Sequence, residues 1–304
     1  MKIAVFFEHA DIGSSGSYAE RALRFLGHEV AHFTRADMDR VLPGYDLYFR
    51  VEDGEYGYRF VKHQHPAVYW TMDTHVPYSR KKILAEAGQY DFLFPCHQSG
   101  AALLKGKGYP VYWLPVGADP ELHGRIQVPL AYDVASIGKD EGVPRMIFNQ
   151  EIRERCPRSF IKKAHFRLMQ PVYSAAKIGF NQSIRNDLNM RSFEVTAAGA
   201  MLLASALEDD SFERLGFVDG KHLVIFRSPK ELFEKLDYYL NHEKERAQIA
   251  EAGRMLTIGQ HTYKHRMQEM LEALKSHGLL KDISPDRPAK DYPPAKIEPA
   301  FQAV

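Results

Sequence analysis

Two cysteines, Cys96 and Cys156, are all that 304 residues contain. They form no CxxC pair, so a disulfide framework, a zinc ribbon and a dithiol redox centre are all excluded. The expectation is a reducing, cytoplasmic compartment. Charge of one sign is missing too: 40 Lys and Arg stand against 39 Asp and Glu. That balance gives no global attraction to nucleic acid or an anionic membrane and leaves room only for a local basic pocket. No run approaches the roughly 18 apolar residues of a membrane span. In the opening MKIAVFFEH, charge and polarity return at Glu8 and His9, before a secretory apolar region is complete, so a first strand is expected there.

What is present reads as an ordinary soluble chain, because 45% hydrophobic and 26% charged residues leave no case for a fibrous or disordered protein. The length favours two domains of about 150 residues each. An apolar run at Ile3–Phe7 is followed by Gly13-Ser14-Ser15-Gly16 and a helical pattern from Tyr18 to Leu26 that stops at Gly27. Strand, glycine-serine loop and helix open a Rossmann-like unit. Further strands are expected at His28–Phe33, Leu47–Val51, Ala67–Met72, Asp91–Pro95 and Val111–Leu114, with helices at Ser79–Ala87 and His97–Lys105. Alternation of strands and helices implies a mainly parallel sheet covered on both faces.

The first unit should end near Asp119, and Pro120–Pro129 has the proline and polar content of a linker. A second unit begins with the strand DVASIG, which runs from Asp133 into Gly138, and continues with helices to about Arg155 and from about Phe166 to Lys177. Met201–Ala204 and Leu223–Phe226 read as strands. Ser228-Pro229-Lys230-Glu231 has the form of a capped helix start, and Leu232, Leu236 and Leu240 share one face beyond it. An amphipathic run from Glu243 to Leu274 breaks near Gly259. The predicted architecture is α/β, with two Rossmann-like domains facing a cleft, divided as 1–125 and 126–282, and a proline-rich tail at 283–304.

The segment AKIGFNQSIRNDLNMRSFEVTAAGAMLLAS, Ala176–Ser205, reads as a loop, a short helix, a glycine stop and a buried strand. Asn189 is placed to cap that helix, and Arg191 and Glu194 share a face three residues apart. Free amides at a helix start attract phosphate, a guanidinium grips two phosphate oxygens, and a carboxylate accepts hydrogen bonds from ribose hydroxyls. Thr196, Ala197, Ala198 and Gly199 keep the helix slim, and Gly199 suits a position of positive φ. An exposed ion pair between Arg191 and Glu194 accounts for the spacing equally well.

AKIGFN, NMRSFEVTAAGAMLLAS, LVIFRSPKEL, ERAQIAEAGR and HTYKHRMQEML together resemble the carboxyl-terminal half of the CgeB-like (spore maturation protein) group of glycosyltransferases, glycosyl transferase group 1-like, with the GT-B fold. YWTMDTH and WLPVGADPELH resemble the same group more weakly. The resemblance implies a metal-independent hexosyltransferase whose donor substrate is a nucleotide diphosphate sugar, with no other cofactor. It implies that Glu194 holds the donor ribose, that Arg191 and Lys177 face the diphosphate, that Gly138 lies at the phosphate loop, and that Asn181 belongs to the same binding set. Related retaining enzymes carry two glutamates separated by seven residues; Asn186 stands at the first of those positions here, so the pair is broken.

In the first domain Asp73 and His75 follow a strand end, where side chains project toward ligand and can take a proton from an acceptor hydroxyl. A hydrogen-bonded turn before Pro77 explains them as well. Asp73-x-His75 is also a two-ligand metal fragment without evident further ligands, so no metal site is expected. The glycine-serine loop fits either approach to a phosphate or a tight turn. Asp119 and His123 are read as hinge residues, and His261 and Arg266 as residues that pack or hinge between domains. The partners are then a nucleotide diphosphate sugar and an unidentified acceptor, a glycan, protein or small molecule, with no nucleic acid and no transmembrane segment. Two other readings of the pocket are a nucleotide-sugar epimerase and a non-catalytic sensor.

Overall fold

The structure is a computed structural model, and residues 1–8, 13–140 and 142–281 are described. The chain forms two compact units, Met1–Val116 with the segment that begins at Tyr263, and Gly117–Thr262. This differs from the expected 125/126 division. The final helix returns to the first unit because Tyr263, Met267, Met270, Leu271 and Leu274 bury one face there.

The first unit runs β1 (Lys2–Phe6), α1 (Ser15–Phe25), β2 (Glu29–Phe33), β3 (Leu47–Val51), β4 (Ala67–Thr71), α2 (Pro77–Glu86), β5 (Phe92–Pro95) and α3 (Gln98–Gly106). Its sheet is parallel throughout, in the order β2-β1-β3-β4-β5. Every residue of β3 and β4 is buried, as expected of parallel strands covered on both faces. The strand expected at Val111–Leu114 is reduced to a single bridge between Val111 and Leu93. Ser14 caps α1 by accepting from the amide of Ser17 at 3.2 Å. A Cβ on Gly16 would meet the ring of Phe7 at 2.4 Å, so this glycine serves close packing of α1 on the strand end.

The second unit runs α4 (Pro120–His123), β6 (Tyr132–Ile137), α5 (Arg145–Arg155), β7 (Ser159–Lys162), α6 (Met169–Ser174), β8 (Ala176–Asn181), α7 (Met190–Ala197), β9 (Met201–Ser205), α8 (Ser211–Arg214), β10 (Val224–Phe226), α9 (Pro229–Asn241) and α10 (Glu243–Gln260). Then α11 (Tyr263–Ser276) closes the described chain. The sheet order is β10-β9-β8-β6-β7, all parallel. Counted from the first strand of each unit, both sheets have the order 2-1-3-4-5. Such a sheet binds ligands outside the carboxyl ends of strands 1 and 3, where the strand order reverses.

AKIGFN, expected as a loop, is the central strand β8. Gly179 within it has a structural reason: a Cβ there would meet Val195 of α7 at 2.3 Å, so its absence lets α7 lie close on the sheet. Gly199 ends that helix with φ of 83°. Ser228 caps α9 by accepting from the amide of Glu231 at 3.1 Å. Leu232 and Leu236 are fully buried beyond it, each burial stabilising by about 2 kcal/mol. The expected linker contains α4, and the proline-rich tail expected at 283–304 lies outside the described residues.

Candidate functional site

The point where the strand order reverses in the second unit lies between β6 and β8, and the two strands end at Ile137 and Asn181. Gly138 follows Ile137 with φ of 155°. A Cβ there would lie 2.0 Å from Nη2 of Arg191, so only glycine lets the guanidinium cross the strand end. Arg191 Nε donates to the Ile137 carbonyl at 3.0 Å, and Nη1 donates to Asn181 Oδ1 at 3.3 Å. Asn181 is itself fixed, because its Nδ2 donates to Asn189 Oδ1 at 3.0 Å and Ser192 Oγ at 3.1 Å. Asn189 occupies the capping position of α7, but its side chain bonds Asn181 and makes no hydrogen bond to the helix.

Glu194 lies one turn further along α7 and is 3% exposed. Among the described residues no donor reaches its carboxylate within hydrogen-bonding distance. Burial raises it from 4.5 to about 7, against the favourable field of Arg191. A buried carboxylate without hydrogen bonds is costly, and a ligand offering hydroxyl donors would relieve that cost. Arg145, at the start of α5, stands nearby and is 9% exposed. Its Nε and Nη2 donate to the Gln182 carbonyl at 3.0 and 2.6 Å, and burial with the charge of Arg191 lowers its affinity for its proton. Two guanidiniums that repel each other at one strand edge suit a polyanion.

Gly138, Asn181, Arg191 and Glu194 are thus brought together, while Lys177 is not among them. It is the second residue of β8, where its Nζ lies 2.7 Å from Asp133 Oδ1 at the amino end of the sheet. It lies four strand positions before Asn181, about 13 Å. Asp133 is pulled down to about 2, chiefly by the hydrogen bond from Arg158 and then by Lys177, so that lysine has an anionic partner already.

Asn186 sits in the loop before α7 with φ of 61°, next to Arg185 with φ of 58°. Asparagine tolerates this left-handed backbone better than glutamate does. Its Oδ1 accepts from the amide of Glu208, which a longer side chain would not reproduce.

In the first unit Asp73 and His75 lie just past β4. The carboxylate that organises their turn is Glu52, which is 2% exposed. It accepts from the amides of Met72 at 2.6 Å and Asp73 at 3.0 Å, and from the hydroxyl of Tyr56 at 2.6 Å. His75 packs edge to face on His97, ring centres 4.4 Å apart. The strand reversal of this unit, between β1 and β3, is filled by Arg50. Its Nη1 donates to the Phe6 carbonyl at 3.0 Å and its Nη2 pairs with Asp53 Oδ1 at 2.9 Å. Arg50 thus matches Arg191 in place but is neutralised, whereas among the described residues no carboxylate lies within ion-pair distance of Arg191. The second unit is therefore the one open to an anion.

The sequence gives no signal for Arg145 and Glu52, and His123, read there as a hinge residue, lies at the site instead. His123 Nε2 lies 4.0 Å from Glu194 Oε1, with both side chains nearly inaccessible. Its place in WLPVGADPELH marks the junction but not the contact with α7.

A family described as glycosyl transferase-like matches residues 155–272, less than half of the chain. No curated protein sequence matches. Among solved structures, Anabaena Alr3699/HepE in complex with UDP and glucose is similar at 13% identity, covering 91% of this chain and 100% of that one with a TM-score of 0.61. The fold is GT-B. An α-glucosyltransferase in complex with UDP-glucose and DNA containing an abasic site is 13% identical over 90% of this chain and 99% of its own, with a TM-score of 0.65. The N-terminal domain of Candida albicans trehalose-6-phosphate phosphatase is 9% identical over 91% and 96%, with a TM-score of 0.63. At such identities the likeness carries the fold alone.

Proposed function

We propose that this chain is a glycosyltransferase that takes a sugar from a nucleotide diphosphate sugar. The observation that carries the reading is the buried, donor-free carboxylate of Glu194 beside Arg191 at the strand reversal of the second unit. Glu194 accepts hydrogen bonds from the ribose hydroxyls. The diphosphate lies at Gly138, where Arg191 and Arg145 supply its positive charge, a task for which Lys177 is too remote. UDP is the first nucleotide to test, because it accompanies the Anabaena neighbour.

In the reaction an acceptor hydroxyl oxygen bonds to the anomeric carbon as the bond from that carbon to the diphosphate oxygen breaks. The charge left on the diphosphate is stabilised by the two guanidiniums. The proton of the acceptor passes to Asp73 or His75 as general base. The reading involves no metal ion, a CgeB-like ancestry and a cytoplasmic setting. Its support for the setting is the scarcity of cysteine. Among the described residues no helix is long and apolar enough to cross a membrane.

The test is incubation of the protein with UDP-glucose and related nucleotide sugars, with release of nucleoside diphosphate as the readout. Slow release to water, lost in Arg191→Ala, supports transfer. Interconversion of the sugar without release identifies an epimerase, and binding without turnover identifies a sensor. Asn186 favours the sensor over the epimerase, since it removes one of two glutamates and leaves the nucleotide contacts whole.

A further inference from the structure

His123 has no part in the reaction as described, yet its ring faces the carboxylate on which nucleotide binding depends. We propose that His123 is a positioning residue for Glu194, its Nε2–H holding the carboxylate toward the ribose and setting the pH range over which the nucleotide binds. The inference rests on the proposed donor site.

The geometry of α4 fixes the ring. Asp119 Oδ1 accepts from the amide of Glu121 at 3.0 Å, the amide of His123 donates to the Asp119 carbonyl at 2.8 Å, and the amide of Asp119 donates to His123 Nδ1 at 3.0 Å. A ring nitrogen that accepts carries no proton, so the imidazole is neutral and its proton is on Nε2. That nitrogen lies 4.0 Å from Glu194 Oε1. A carboxylate that swings by about 1 Å comes within hydrogen-bond reach, and the bond is stronger for the ionised form.

Among the described residues, the titratable groups that couple to Glu194 come from three elements. Arg191 lies on its own helix, Tyr173 on α6 and His123 on α4. The hydroxyl of Tyr173 accepts from the amide of Ile137 at 2.9 Å, and on the α10 side of the helix Thr257 bonds Thr196. Beside the field of Arg191, His123 is therefore the group able to favour the carboxylate by direct contact. Because burial already holds Glu194 near 7, a change in that contact moves its titration through the range where binding is easily measured.

Two measurements decide the matter. In the unliganded protein the titration of the Glu194 carboxyl is followed by infrared difference against Glu194→Gln. His123→Phe should raise the midpoint by about half a pH unit or more, and His123→Gln, which keeps an N–H, should return it toward wild type. In parallel, UDP is titrated calorimetrically from pH 5.5 to 8.5. Affinity should climb by up to roughly tenfold per pH unit on the acid side and level off above the midpoint. In His123→Phe the rise should come later, leaving affinity about threefold weaker or more on the acid side only. A midpoint unmoved by His123→Phe overturns the inference, as does a UDP affinity flat with pH in the wild type. If no nucleoside diphosphate binds any form, the donor-site reading fails, while an unmoved or moved carboxyl midpoint still tells whether His123 holds Glu194.

Discussion

Glu194→Gln should make the protein more stable at pH 8 while weakening its hold on nucleotide. Folding raises the Glu194 carboxyl from 4.5 to about 7 because the charge is buried. The native state therefore keeps a proton that the unfolded chain gives up, and stability falls as pH rises between those values. Below 4.5 both states hold the proton and the carboxyl costs nothing; above about 7 both have lost it and the whole difference, about 3 kcal/mol, is lost stability. Glutamine keeps the shape of the protonated acid and never ionises. The second unit of Glu194→Gln should accordingly resist urea by about 3 kcal/mol more than wild type at pH 8 and by less than about 1 kcal/mol more at pH 5. The assay is urea unfolding at both pH values, read by a probe in the second unit such as hydrogen exchange of β8 and β9. Equal stability of the two proteins at pH 8, or a glutamine variant less stable there, would refute the claim that Glu194 is held as an uncompensated buried acid.

Gly138→Ala puts a side chain where Arg191 crosses the strand end, at a φ of 155° that alanine disfavours. Displacement of the guanidinium should weaken UDP binding roughly tenfold or more by calorimetry, equivalent to about 1.4 kcal/mol. Asn186→Glu, which restores the missing glutamate, should cost about 1–2 kcal/mol in urea unfolding through the left-handed backbone and the lost bond to Glu208, with no gain in turnover. Loss of the proposed general base in Asp73→Asn or His75→Ala should slow sugar transfer by roughly 100-fold or more in one of the two variants. Nucleotide affinity should stay unchanged in both.

Much of the fold was legible because parallel strands covered on both faces are largely apolar runs, and Leu47–Phe49 and Ala67–Trp70 stand out as such. The central strand β8 escaped for the reasons that make it useful. Lys177 reaches an ion pair at one end, Gly179 admits α7, and Asn181 orients Arg191 at the other, so three of six residues break an apolar run. Periodicity identified α11 as a helix but carries no information on which unit it covers. At the site, the spacing of Arg191 and Glu194 was visible because they lie within one helical turn. His123 and Arg145 come from α4 and α5, and only the sheet topology brings those elements to the same strand edge. Lys177 was misplaced by reading a strand as a loop: a lysine in a loop is free to reach the diphosphate, whereas one at the amino end of β8 is not.

The role of Glu194 is tested most directly by titrating UDP into wild-type protein and Glu194→Ala side by side at pH 8. Saturable binding by the wild type, weakened at least tenfold in the variant, is the result expected of a carboxylate that receives the ribose. Equal affinity in the two proteins would contradict it.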